Sequence, residues 1–135
     1  MDSRHQRCFY VDNHDWTFHK KPYNLRDRLF VFACVVVRLV QYLHTRGPVA
    51  KALSYQILKS GTSAGANYEE ADGASSARDA LSKKKIVLRE LMETHFRLRV
   101  LRATDILKKE HDPVLIEADE LVRIVATIVR NSSST

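Results

Sequence analysis

Leu29-Phe30-Val31-Phe32-Ala33-Cys34-Val35-Val36-Val37-Arg38-Leu39-Val40-Gln41-Tyr42-Leu43 is the most apolar stretch of the chain, and it reads in two ways. The β-branched Val31, Val35, Val36, Val37 and Val40 favour a strand, because two heavy atoms on Cβ pack well on a pleated surface. Leu29, Phe32, Val36, Leu39, Val40 and Leu43 instead recur at three- and four-residue steps, as one buried face of a helix would. Length decides between them: the stripe runs through Tyr42 and Leu43, well past an ordinary strand. The apolar run Leu29–Val40 spans twelve residues and carries Arg38. A bilayer needs about 20 apolar residues, so the run is a core helix and not a membrane span.

Gly47-Pro48 ends this helix and opens a second, because Gly suits a helix C-terminus and Pro the first helical position. The second helix is expected from Pro48 to near Ala71, with Val49, Leu53, Ile57, Ser60, Ala64, Asn67 and Ala71 along one face. Gly61 and Gly65 stand one turn apart in it. An interior Gly costs ~1 kcal/mol against Ala, so close helix packing is the expected reason for them. Asp72–Ala77 is a polar break, and Ser76, three residues before Asp79, caps a third helix expected over residues 77–107. Val87, Leu91, Leu98 and Leu101 form its stripe, widened by Leu88 and Met92. Asp112 reads as an N-cap and Pro113 as the first residue of a fourth helix. That helix aligns Leu115, Ala118, Leu121, Val122, Val125, Ile128 and Val129. Four amphipathic helices with short connections predict an all-α, up-down-up-down four-helix bundle over residues 23–131. Residues 1–22 hold scattered aromatics without helical period and are expected to be a flexible arm, or a segment that docks on a partner; residues 132–135 are expected to be a disordered tail.

Composition agrees with a soluble single domain: 135 residues, 44% apolar and 28% charged. With 4 Gly and 3 Pro, the chain lacks the turn residues that a many-stranded β domain needs. Cys8 and Cys34 cannot make a disulfide framework or a four-ligand metal site. The first residues lack the apolar core of a secretory signal, so a cytoplasmic protein is expected. Metal-binding bundles carry Glu-x-x-His pairs on facing helices, and the chain has none. Gly61-Thr62-Ser63-Ala64-Gly65 lacks the Gly-Lys-Ser/Thr that completes a phosphate loop. No nucleophile–base arrangement can be nominated from the six His, so neither catalytic residues, a metal nor a cofactor is expected.

Charge is more informative. Between Arg78 and Lys109 there are ten basic and four acidic residues, an excess equal to the +6 of the whole chain. The following stretch, Glu110–Asn131, is acidic. Helix three is therefore a basic ridge, and Arg78, Lys83, Lys84, Lys85, Arg89, Arg97, Arg99 and Arg102 are the candidate nucleic-acid contacts, holding phosphates in a salt-dependent way. The bland alternative is a solvated face whose cations pair with the neighbouring acidic helix. Phe96 is the single aromatic interleaved there, so base stacking on single strands is not expected. A second cluster is polar. Ser60, Ser63, Asn67 and Glu70 share one face of helix two, and Lys83, Glu90, Glu93 and Thr94 share one face of helix three. They predict a hydrogen-bonded seam between the two helices, with Glu70 or Glu90 paired to Lys83 or to hydroxyls.

The stretch Lys59-Ser60-Gly61-Thr62-Ser63-Ala64-Gly65-Ala66-Asn67-Tyr68-Glu69-Glu70-Ala71 resembles the signature of bacterial four-helix-bundle proteins encoded by intervening sequences of 23S ribosomal RNA genes. Ser60, Ser63, Ala66, Asn67, Glu70, Ala71, Ser76, Asp79, Glu90, Glu93, Thr94 and Leu98 match that pattern. Lys59, Ala64, Ala80, Phe96 and Arg97 depart from it, standing where the family has Arg, Ile, Phe, Tyr and Trp. The resemblance covers about residues 23–132. It implies a left-turning bundle that assembles as a ring, a homopentamer, without enzymatic activity. A related branch of the fold serves diversity-generating retroelements, where a basic pentamer binds a reverse transcriptase and nucleic acid. The resemblance thus implies three partners: other copies of the chain, nucleic acid and another protein.

Overall fold

In a computed structural model, which describes residues 16–18 and 20–133, Asn24 caps α1 (Leu25–Leu43) by accepting the Asp27 amide at 2.8 Å. Gly47 then takes φ +106°, open to glycine without strain, and sets Pro48 at the start of α2 (Pro48–Asp72). Ser76 accepts the Asp79 amide at 3.0 Å and caps α3 (Ala77–Ala103). A 3-10 turn at Lys109–His111 leads into α4 (Asp112–Ser133). Partners descend one helix as they ascend the next: Leu29 lies at Gly65 and Val36 at Gly61, Ser60 meets Thr94 and Glu70 meets Lys83. The result is an all-α, up-down-up-down four-helix bundle. All six residues of the deciding α1 stripe are buried.

Three boundaries differ from the sequence reading. α3 stops at Ala103, four residues early, because Asp105 adopts the left-handed conformation, φ 63°. The Ile106 amide bonds the Leu101 carbonyl and the Asp105 amide the Arg102 carbonyl, the paired bonds of a Schellman end. Asp fills the position that Gly usually takes, so no glycine marks the stop, and Leu107 turns into the core. Asp112 is the first residue of α4 and not its cap; its carboxylate accepts Arg102 Nε at 2.8 Å. α4 also takes in residues 132 and 133, where a tail is expected, and Ser132 Oγ donates to the Ile128 carbonyl. Two stripe positions are exposed, Val49 and Met92, and Ala50 and Ser54 are buried in α2.

The flexible arm expected over residues 1–22 is corrected from Trp16 onward; residues 1–15 and the tail residues 134–135 lie outside the described residues. Trp16 is 6% exposed and packs its ring 5.4 Å from that of His111, whose other face meets Tyr42 at 4.8 Å. Lys21 reaches Glu117 at 3.0 Å and Glu120 at 3.1 Å. The Lys21 pairs sit at the α1–α4 seam and the Trp16 stack where α1 meets the 3-10 turn before α4; α1 and α4 touch less than α1 and α2, α2 and α3, or α3 and α4 do. There Arg28 grips Glu117 in a bidentate pair at 2.8 and 2.7 Å. Glu117 is 1% exposed, and the bond raises the Arg28 guanidinium above its ordinary value.

Helices α1 and α2 touch closely at the glycines. A Cβ on Gly61 would stand 2.8 Å from both γ-carbons of Val36, whereas one on Gly65 would meet the Leu29 carbonyl oxygen at 3.5 Å, an ordinary contact. Val36 is β-branched and buried, with little rotamer freedom to yield. Gly61→Ala is therefore expected to cost ~1–3 kcal/mol by overpacking. Gly65→Ala should be neutral or stabilise by up to ~1 kcal/mol through helix propensity. Urea midpoints of the two variants check this; equal midpoints would show that the α1–α2 distance is not set by Gly61.

His111 generates a pH dependence. The Lys108 backbone N–H donates to His111 Nδ1 at 2.9 Å, which places the ring proton on Nε2, and Nε2 has no hydrogen-bond partner among the described residues. Burial pushes the imidazole below its ordinary value, with Arg102 acting the same way, while Glu110 and Asp112 oppose. Tyr42, with Arg46 over its ring, faces it from α1, and Trp16 from the N-terminal segment. The neutral ring is favoured in the fold, so its contribution is complete above the unfolded value of ~6.5 and is lost as pH falls through the lower folded value. Denaturant midpoints of the protein should fall between about pH 7 and 5 more steeply than those of His111→Gln. Parallel slopes would refute a role for His111. Fluorescence of Trp16, the single tryptophan, reports whether the segment leaves the bundle in that window.

Candidate nucleic-acid interface

The buried residues Val87, Leu91, Thr94, Leu98 and Leu101 turn one side of α3 inward, so residues half a turn away face out. From N- to C-terminus that outward line reads Arg78, Lys85, Arg89, Met92, Phe96, Val100. Its first half is cationic and its second half apolar. Met92 is 54% and Phe96 60% exposed, and with Leu88 they floor a groove of about 400 Å³ flanked by Lys85, Arg89 and Arg97.

Of the eight candidate cations, three are engaged within the bundle. Lys83 lies 3.9 Å from Glu70 on α2, Arg97 is 3.6 Å from Glu93 one turn back, and Arg102 is held by Asp112 of α4. These pairs are exposed, and such pairs contribute at most ~1 kcal/mol each. Arg78, Lys84, Lys85, Arg89 and Arg99 form no ion pair with any described residue. The acids of α4 do not cancel them: Glu117 and Glu120 face Arg28 and Lys21 across the other seam, and Asp119 pairs with Arg123 on its own helix. Lys21 and Arg28 hold the Glu120 carboxyl below the usual range.

The expected polar seam contains one buried cross-helix bond. Ser60 Oγ and Thr94 Oγ1 are 2.7 Å apart, both residues buried, and Thr94 Oγ1 donates to the Glu90 carbonyl at 2.8 Å, so Ser60 donates to Thr94. Asn67 Nδ2 bonds back to the Ser63 carbonyl within α2. Glu90 and Glu93 line a cleft of about 250 Å³ with Gln56, Lys59, Ser60 and Arg97. Glu90 has no ion pair with a described residue, and Lys83 reaches Glu70 but not Glu90. Among the described residues no group of three His, Cys, Asp or Glu side chains could hold a metal ion, and no helix is long and apolar enough to cross a membrane. Sequence reasoning missed Glu117 and His111. Glu117 sits one position before Ala118 on the apolar stripe of α4, the one signal for its burial; His111 carried none.

The bundle and the outward face of α3 define a helical-bundle protein with a polycationic surface. No family model matches the chain, and no curated protein matches it. A solved structure does: a protein of unknown function from the S23 ribosomal protein family of Bacteroides thetaiotaomicron VPI-5482. It is 31% identical, with a TM-score of 0.72 over 78% of this chain and 98% of that one. On that identity and coverage the chain belongs to the S23 ribosomal protein family.

The Ser60–Thr94 geometry makes the two hydroxyls unequal. Thr94→Val leaves Ser60 with only the Ile57 carbonyl at 3.5 Å, whereas Ser60→Ala leaves the Thr94 proton on Glu90. Thr94→Val is expected to cost ~1–2 kcal/mol and Ser60→Ala less than ~1 kcal/mol. Denaturant midpoints beside a Glu90→Ala control check the order.

Proposed function

We propose that this protein is a non-enzymatic, ring-forming homo-oligomer, a pentamer as the resemblance implies, that binds nucleic acid through α3. RNA or a ribonucleoprotein is the preferred partner. The observation that carries the reading is the cationic half of the outward α3 line, where Arg78, Lys85 and Arg89, with Lys84 beside them and Arg99 further along, lack internal counter-charges among the described residues. Cations left uncompensated by their own fold attract phosphates and release counterions on binding. The resemblance to proteins encoded within 23S ribosomal RNA genes supports RNA over DNA. Repeating the ridge around a ring would multiply the phosphate contacts, since linked weak sites gain by effective concentration. A second reading, an accessory scaffold whose main partner is another protein such as a reverse transcriptase, is favoured by the apolar half of the same face, Met92 and Phe96.

The test is a titration with single-stranded and duplex RNA and DNA at several salt concentrations, with the subunit number measured by native mass spectrometry. Binding should weaken steeply with salt. Replacing Lys85 and Arg89 together by Ala should lower the slope of log affinity against log salt by about 2, roughly one for each phosphate that is no longer neutralised. Lys51→Ala, an exposed cation on α2, should leave the slope unchanged. Absence of binding at low salt, or binding indifferent to salt, would overturn the reading.

A further inference from the structure

We propose that the apolar half of the outward α3 face docks an amphipathic helix of another protein, one with apolar anchors at i, i+4 and i+7 or i+8 and acidic residues at its flanks. The inference rests on the reading of the chain as a binding module without enzymatic activity and concerns a different part of the same helix from the phosphate ridge. Met92, Phe96 and Val100 follow one another at one-turn spacing, the register in which a helix offers a ridge to a facing groove. All three are exposed, and Met92 and Phe96 line the groove together with the half-buried Leu88. A single-stranded nucleic acid would ask for several aromatic planes on which to stack, and the groove has one, Phe96. An apolar floor with one thioether and one ring instead suits aliphatic anchors, and methionine adapts its shape to them.

The choice of a helix over a second copy of this chain follows from size. Three side chains from Met92 to Val100 span about 12 Å of helix. A stable interface between subunits takes roughly 20–30 residues and 800 Å² on each side, far more than this strip offers. A short helix laid along it would cover it fully. The rim supplies the polarity of the partner. Lys85 and Arg89 border the N-terminal end of the groove, neither having an ion pair with a described residue, while Arg97 and Glu93, paired with each other, line its flank. Acidic groups flanking the anchors of the incoming helix would meet Lys85 and Arg89, and a basic helix would be repelled by them.

The experiment uses the full-length protein and three fluorescein-labelled synthetic helices of equal length. One carries Leu at the stated spacing with Glu flanks; a second has the same composition scrambled; a third replaces Glu by Lys. The first should bind, with Met92→Ser and Phe96→Ser each weakening it about tenfold. Both residues are exposed, so thermal melts of the variants should match the parent. The scrambled and Lys peptides should bind at least about tenfold more weakly. Equal binding of the patterned and scrambled peptides, or indifference to Met92→Ser and Phe96→Ser, would overturn the proposal. So would a fall in subunit number in either variant, which would make the strip an interface between copies, or loss of RNA binding without any peptide binding. Peptide binding with no RNA binding would leave this proposal standing and remove the nucleic-acid reading. RNA binding that survives both substitutions, with no peptide binding, would do the reverse.

Discussion

A carboxylate with almost no contact with water closes the bundle. Glu117 lies at the seam between the first and last helices, where packing is thinner than between α1 and α2, α2 and α3, or α3 and α4, and is held there by both nitrogens of the Arg28 fork and by Lys21. Burying a lone carboxylate costs several kcal/mol, so α4 can present Glu117 to the interior only where Arg28 stands opposite. That requirement adds a charge constraint on how α4 sits against α1 to the one that Leu and Val packing supplies. It also ties down the chain ahead of α1, because Lys21 belongs to the same cluster and Trp16 packs farther along on His111 of the 3-10 turn.

At the opposite side of α1 the constraint is steric. Gly61 lets the backbones of α1 and α2 approach until Val36 fills the space a side chain would take. Dispersion falls off within an ångström of separation, so such proximity offsets the lower helix propensity of glycine. One helix is thus located by a charge pair on one flank and by an absence of atoms on the other. α3 then docks on α2 and α4 with ordinary Leu and Val packing and the single hydroxyl bridge from Ser60 to Thr94.

These internal arrangements shape the outer surface. The acids of α4 that could have neutralised α3 are turned to α1 or to their own helix, and Arg102 alone reaches α4 from the ridge. The positive field of the chain is left concentrated on one outward line. A stability device at one seam therefore leaves cations without ion pairs on the far helix, because each carboxylate neutralises only what lies within a few ångströms.

The all-α class, the number of helices, their order and the core face of α1 were legible in the sequence, because each depends on periodicity and end signals carried by neighbouring residues: Leu29 to Leu43, Gly47-Pro48, Ser76 with Asp79. The basic excess of α3 was legible too, as charge is a property of composition. Long-range partnerships were not. Glu117 reads as one more acid of the stretch Glu110–Asn131 until Arg28, far away in sequence, is set beside it. Met92 is expected to widen the core stripe and lies outside, because it stands nearly half a turn around α3 from the buried line of Val87, Leu91, Leu98 and Leu101. Asp105 ends α3 in a conformation that glycine ordinarily signals. Trp16 and His111 look unrelated, and only the folded chain stacks one ring on the other. Local physics decided which segments are helices; only the tertiary structure decided which charges pair and which stand without an ion pair among the described residues, because pairing depends on distance in space.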